Sequence, residues 1–122
     1  MKKKILIIDD EPSIVRLLAM RLKANGYETF VANDGLQGLK MARDVKPDLI
    51  LLDLKMPAGG GVHAFENLKA SVNTSTIPII IITALPGEEV KILTMEMGAD
   101  GFSPKPFKSV ELLKKIEELI GE

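Results

Sequence analysis

Three short runs of isoleucine and leucine constrain the fold of this chain more than any other feature. The runs are Ile5–Ile8, Leu49–Leu52 and Ile79–Ile82. A run that is apolar at every position, rather than at every second one, is typical of a strand covered on both faces. The runs therefore predict buried strands of an α/β sheet, and Thr29–Ala32 and Gly101–Ser103 are weaker strand candidates.

Segments in which apolar residues recur with helical spacing separate these strand candidates. The segments lie at Ile14–Leu22, Leu36–Val45, Val62–Ala70, Glu88–Met97 and Leu112–Ile120. Pro12 suits a first helical turn, and Gly26 and Gly98 suit helix ends in the left-handed conformation. Asp34 and Gln37 resemble a capping pair. Strands that alternate with helices through short loops predict a parallel sheet with right-handed crossovers.

Composition narrows the function classes. A chain of 122 residues with 46% hydrophobic residues predicts a single domain over residues 1–122. A formal charge of -1 gives no indication of electrostatic binding to nucleic acid or to a membrane. The absence of cysteine excludes disulfides, thiolate metal sites and a cysteine nucleophile, and fits a cytoplasmic protein. The first apolar run is too short for a signal peptide or a membrane span.

Polar residues follow the predicted strands at their carboxyl ends. They are Asp9 and Asp10 after the first strand, Asp53 at the end of the third, Thr83 and Ala84 at the end of the fourth, and Lys105 and Pro106 after the fifth. Ligands of open parallel sheets bind beyond the carboxyl ends of the strands. We therefore expect three carboxylates, a hydroxyl and an ammonium group to converge on one edge of the sheet.

These groups suit the chemistry of phosphoryl transfer. Neighbouring carboxylates need a proton or a cation at neutral pH. Oxygen ligands without histidine or cysteine favour a hard divalent ion such as Mg²⁺. With that ion and Lys105, the charges of the three aspartates are balanced, and the neutral pocket can accept a phosphoryl group. Asp53 is the best nucleophile candidate, because carboxylates can form aspartyl-phosphate and its strand is central.

Four motifs at this edge resemble those of the receiver domains of two-component response regulators. They are "DDE" at Asp9–Glu11, "DLKMP" at Asp53–Pro57 with Gly61 after it, "TA" at Thr83 and Ala84, and "KPF" at Lys105–Phe107. The resemblance covers essentially the whole chain. It implies a flavodoxin-like, doubly wound (βα)5 fold with a five-stranded parallel sheet in the order 2-1-3-4-5 and helices on both faces.

The resemblance also implies a signalling role rather than that of an enzyme. Asp53 would accept a phosphoryl group from the phosphohistidine of a sensor histidine kinase or a phosphotransfer protein. The side chains of Asp9, Asp10 and Asp53 would hold Mg²⁺ or Mn²⁺, with Asp9 acting mainly through metal-bound water. The backbone carbonyl of Lys55 would be a further ligand.

The other implied roles concern the response to phosphorylation. Thr83 and Lys105 would each bind a phosphoryl oxygen, Ala84 would leave room for access, and the Lys105–Pro106 peptide bond would be cis. Phe102 would turn inward as Thr83 moves and change the surface of the fourth helix, fifth strand and fifth helix. That surface would control an output domain or target protein, as a monomer or a phosphorylation-promoted dimer, without direct nucleic-acid binding.

Some positions depart from the usual receiver pattern. Ser103 and Pro104 predict a short or irregular fifth strand, because proline cannot donate to a sheet ladder. Lys108 stands where a capping residue is common, so the cap of the last helix would shift to Ser109 or be lost. The segment Ala58–Gly61 has more glycine than a turn needs, which predicts mobility.

Rival functions remain open. An aspartate-nucleophile phosphohydrolase usually has a second aspartate two positions after the nucleophile, where this chain has Lys55. A nucleotide-binding α/β protein would need a glycine-rich loop where this chain has the acidic "DDEPS". A receiver-like module that binds partners without phosphorylation is the third rival. The sequence leaves open the cognate kinase, the regulated process and whether the chain acts alone or within a longer regulator.

Overall fold

The computed structural model describes residues 2–54, 60–84 and 87–121 of the chain. Its strands are β1 (Lys4–Ile8), β2 (Glu28–Ala32), β3 (Leu49–Asp53), β4 (Ile79–Thr83) and β5 (Gly101–Pro104). Its helices are α1 (Pro12–Ala24), α2 (Gly35–Val45), α3 (Gly60–Ala70), α4 (Glu88–Glu96) and α5 (Ser109–Ile120). All strand pairs are parallel and the order is β2-β1-β3-β4-β5, which confirms the predicted flavodoxin-like topology.

The sheet separates two apolar clusters, because successive side chains of a strand point to opposite faces. Leu52 and Ile81 lie in a cluster with residues of α2 and α3. Leu51 and Ile80 lie in a second cluster with residues of α1 and α5. Helices on both faces explain why the central strands are apolar at every position. None of the helices in the described part of the chain is long and apolar enough to cross a membrane.

The ends of several helices follow their sequence signals. Pro12 occupies the first turn of α1, and Gly26 and Gly98 have φ angles of 89° and 99° after α1 and α4. Asp34 caps α2, since its Oδ1 accepts a hydrogen bond from the backbone N–H of Gln37 at 2.8 Å. These positions confirm the predicted stops and the capping pair.

The last strand and the last helix show the effect of the unusual residues near them. Strand β5 has four residues, whereas β1 to β4 each have five. Its final residue, Pro104, is in register with Thr83. Lys108 is the N-cap residue of α5 and makes no side-chain capping hydrogen bond. The short strand and the lost cap were both expected.

Helix α4 is weakly anchored to the rest of the fold. It has nine residues, and Thr94 is its one buried residue. Val90 and Met97 pack partly against the cluster beneath α2 and α3. Ile92, Leu93 and Met95 are large apolar residues that remain exposed. Much of the apolar surface that a packed helix would bury is therefore exposed to solvent on α4.

Gly61 is required by packing, whereas the segment Ala58–Gly61 was expected to have more glycine than a turn needs. It lies in the first turn of α3, and a Cβ atom there would lie 2.5 Å from the carbonyl oxygen of Asp53 and closer still to that of Leu54. No real Cβ atom is found so close to a backbone oxygen, so this glycine is required by packing. Ala58 and Gly59, to which the prediction of mobility also applied, lie outside the described residues.

Candidate functional site

The site lies at the carboxyl edge of the sheet, where the strand order reverses. β1 has β2 on one side and β3 on the other, so the chain leaves β1 and β3 toward opposite faces. Such a switch point is where open α/β sheets bind ligands. Asp9 follows β1 directly and Asp53 is the last residue of β3. The topology thus places both carboxylates at the reversal.

Ladder hydrogen bonds continue past the strand ends and fix the backbone of the site. The N–H of Asp9 donates to the carbonyl oxygen of Ala32 at 3.1 Å, which extends the β1–β2 ladder. The N–H of Lys105 donates to the carbonyl oxygen of Thr83 at 2.8 Å, which extends the β4–β5 ladder. The ladders therefore extend one residue beyond β1 and β5, to Asp9 and Lys105.

Three carboxylates meet at this edge. Asp9, Asp10 and Asp53 each offer an oxygen atom, and these atoms all lie within 4.8 Å of one another. Asp9 and Asp53 are 2% and 3% exposed, whereas Asp10 is exposed. A set of oxygen donors that is buried on one side and open on the other fits a hard divalent cation that keeps some of its water. The donor chemistry of these residues therefore suits Mg²⁺.

Lys105 supplies the positive charge of the site. Its Nζ lies 3.0 Å from Oδ2 of Asp9 and 3.3 Å from Oδ2 of Asp53, and the lysine side chain is 6% exposed. Burial disfavours the ammonium form, but hydrogen bonds to Glu11 and Asp9 and the negative charges of Asp9 and Asp53 outweigh it. The pKa of Lys105 is therefore raised above its ordinary value, and the group stays protonated at neutral pH.

The remaining predicted residues surround this ion cluster. Thr83 is fully buried at the end of β4, and Ala84 beside it is exposed. The Lys105–Pro106 peptide bond is cis, as the resemblance implied. Phe102 is partly buried against the cluster beneath α2 and α3. The geometry thus brings Asp9, Asp10, Asp53 and Lys105 into one cluster, with Thr83 on the neighbouring strand.

A groove of about 540 Å³ adjoins this cluster and extends toward α4 and α5. Thr83, Ala84 and Lys105 line its end at the site. Phe102 and Lys91 also line the groove. Phe102 and Thr83 therefore line the same open groove. Lys55, a predicted metal ligand through its carbonyl oxygen, lies outside the described residues.

Glu11, the last residue of the "DDE" motif, also contacts the ion cluster. Its Oε1 accepts a hydrogen bond from Nζ of Lys105 at 2.7 Å, the shortest of the lysine's three ion-pair contacts. One sequence signal could have identified it: Glu11 occupies the N-cap of α1, where serine, threonine, aspartate and asparagine are preferred. A glutamate in that place suggests a task other than capping.

Comparison with known proteins agrees with this geometry. The family model described as "Response regulator receiver domain" matches residues 5–117. The DNA-binding response regulator MtrA of Mycolicibacterium smegmatis is 38% identical over 95% of this chain and 50% of its own length. The transcriptional regulatory protein PhoP of Bacillus subtilis, named for alkaline phosphatase synthesis, is 39% identical over 98% of this chain and 49% of its own length.

A solved structure of a receiver domain is also similar to this chain. The receiver domain of sensor histidine kinase PA1611 from Pseudomonas aeruginosa, crystallised with a magnesium ion coordinated in its active-site cleft, is 28% identical. It has a TM-score of 0.89, and the match covers all of both chains. The chain spans about half the length of the curated relatives named above. It belongs to the response regulator receiver domain family.

Proposed function

We propose that this chain is a phosphorylation-dependent switch of a two-component system, in which Asp53 accepts a phosphoryl group from the phosphohistidine of a sensor histidine kinase or phosphotransfer protein. The observation that carries the proposal is the position of Lys105, whose Nζ lies within 3.3 Å of both buried aspartates. A cation fixed beside a nucleophile and a divalent-ion site is what transfer of a charged phosphoryl group requires.

In the transfer step, a carboxylate oxygen of Asp53 attacks phosphorus as the bond from phosphorus to the histidine nitrogen breaks. The imidazole leaves with the bonding electron pair and takes up a proton. Asp9, Asp10 and Asp53 would hold Mg²⁺, together with the carbonyl oxygen of Lys55, and the bound ion would supply positive charge for the phosphoryl oxygens. The ammonium group of Lys105 supplies a further positive charge, because it already lies beside Asp9 and Asp53.

The response would start at Thr83 and Phe102. Thr83 would move toward a phosphoryl oxygen, and the ring of Phe102 would turn into the groove beside it. This would alter the surface formed by α4, β5 and α5. Exposed Ile92, Leu93 and Met95 on α4 support a partner contact there, because a soluble domain gains by covering such a surface. The partner would be an output domain, a target protein or a second copy of the chain, in the cytoplasm.

Incubation with acetyl phosphate and Mg²⁺, followed by intact mass measurement, tests the proposal. We expect a mass increase of one phosphoryl group that is lost on mild alkaline treatment. The variant Asp53→Asn should not gain this mass. If no labile phosphate forms on the unmodified protein, or if the label survives in Asp53→Asn, the protein is instead a binding module or a phosphohydrolase with another nucleophile.

A further inference from the structure

We propose that Glu11 is a positioning residue that draws Nζ of Lys105 away from Asp53 and so keeps the Asp53 carboxylate open to the phosphoryl donor. The inference rests on the proposed phosphorylation of Asp53. It assigns a task to a residue outside the acceptor and the metal ligands.

The distances around Nζ show how the ammonium group is shared. Nζ of Lys105 lies 2.7 Å from Oε1 of Glu11, 3.0 Å from Oδ2 of Asp9 and 3.3 Å from Oδ2 of Asp53. The closest partner is the outermost carboxylate, although the Glu11 side chain is 54% exposed. A lysine ammonium has three N–H donors, so it can serve all three carboxylates at once. Glu11 therefore holds the lysine toward the rim of the pocket.

Glu11 is fixed in a position that makes this contact possible. Its backbone N–H donates to Oδ1 of Asp9 at 2.9 Å, and its carbonyl oxygen accepts the first hydrogen bond of α1, from Val15 at 3.0 Å. Its side chain makes no capping hydrogen bond to the helix. The longer glutamate side chain reaches past the helix end to Lys105, where a shorter and better capping residue would turn back to α1.

Loss of the Glu11 contact would leave Lys105 with two partners. The ammonium would then move closer to Asp9 and Asp53, because attraction to the remaining carboxylates is no longer opposed. A tighter pair with Lys105 lowers the reactivity of Asp53 toward phosphorus. If Glu11 acted only through its negative charge, its removal would speed phosphorylation, since an anionic donor would approach more easily. The rate of phosphorylation thus distinguishes a positioning role of Glu11 from an effect of its charge alone.

The decisive variant is Glu11→Asp, which keeps the charge but shortens the side chain. Aspartate is a preferred N-cap residue, so its carboxylate should turn to the N–H groups of α1, and the Tm should equal or exceed that of the unmodified protein. Phosphorylation by acetyl phosphate with Mg²⁺ should slow about twofold to fivefold, the range for one partly exposed ion pair. Glu28→Gln, at the exposed start of β2, is the control for altered net charge and should react at the unmodified rate.

A second measurement needs neither metal nor donor. The carbon-13 resonance of the Asp53 side-chain carboxyl, assigned with Asp53→Asn, should shift in Glu11→Asp and in Glu11→Gln but not in Glu28→Gln. An unshifted resonance in Glu11→Asp, or phosphorylation of that variant at or above the unmodified rate, overturns the inference. If the unmodified protein takes up no phosphate, the proposed function fails by itself, while the carboxyl resonance still decides whether Glu11 positions Lys105.

Discussion

Replacement of Lys105 by methionine should remove most of the electrostatic support of the site while keeping the volume of the side chain. Nζ lies 3.0 Å from Asp9 and 3.3 Å from Asp53. With an effective dielectric constant of about 20, each contact corresponds to about 5 kcal/mol of attraction, much of which is offset by loss of hydration. Removal of one partner of a buried ion pair lowers the free energy of unfolding by about 3–5 kcal/mol, because the remaining buried charge has no partner of opposite sign.

We expect Lys105→Met to lie at the low end of that range, near 3 kcal/mol, because the pocket opens to solvent at Asp10. For a domain of this size, the Tm would fall by about 10 °C. The loss should be measured by urea unfolding without divalent ions and then with increasing Mg²⁺. A divalent cation can replace the missing charge, so the gap between variant and unmodified protein should narrow as Mg²⁺ rises.

The matched control is Lys114→Met, which removes an exposed lysine on α5. Its effect should stay within about 0.5 kcal/mol, as is usual for surface substitutions. A Lys105→Met variant that is as stable as this control would refute the argument that the lysine stabilises the buried aspartates. So would a loss of stability that Mg²⁺ leaves unchanged.

Two further substitutions test the local structure. Gly61→Ala should cost about 1–3 kcal/mol in urea unfolding, because the added Cβ meets the backbone carbonyl oxygens of Asp53 and Leu54. A Gly61→Ala variant as stable as the unmodified protein would contradict the packing argument. Lys108→Asp should raise the free energy of unfolding by about 1 kcal/mol, because it restores a cap and a favourable charge at the start of α5. An unchanged free energy of unfolding would mean that the missing cap is already compensated.

Most of the fold could be predicted because its signals are local. The runs of isoleucine and leucine located β1, β3 and β4 to within one residue, since no other element is apolar at every position for so short a length. β5 was a weaker candidate because Gly101–Pro104 contains only one large apolar residue. α3 begins at Gly60, two residues before the predicted start, because a glycine carries no side-chain signal for a helix.

The site could be predicted in part. Residues that end parallel strands must meet at one edge, so the approach of Asp9, Asp53 and Lys105 follows from the topology. The contact between Glu11 and Lys105 does not, because it joins side chains 94 residues apart and depends on the rotamers of both. The requirement for Gly61 was also hidden, since it arises from the path of the backbone around Asp53.

The weak anchoring of α4 has a consequence for the energetics of signalling. A helix with one buried residue can open or slide at little cost in free energy, whereas we expect the amide protons of the flanking strands to exchange only when the whole domain unfolds. A few hydrogen bonds to one phosphoryl group are enough to bias such an element. We therefore expect conformational change to concentrate in α4, while the five-stranded sheet keeps its geometry.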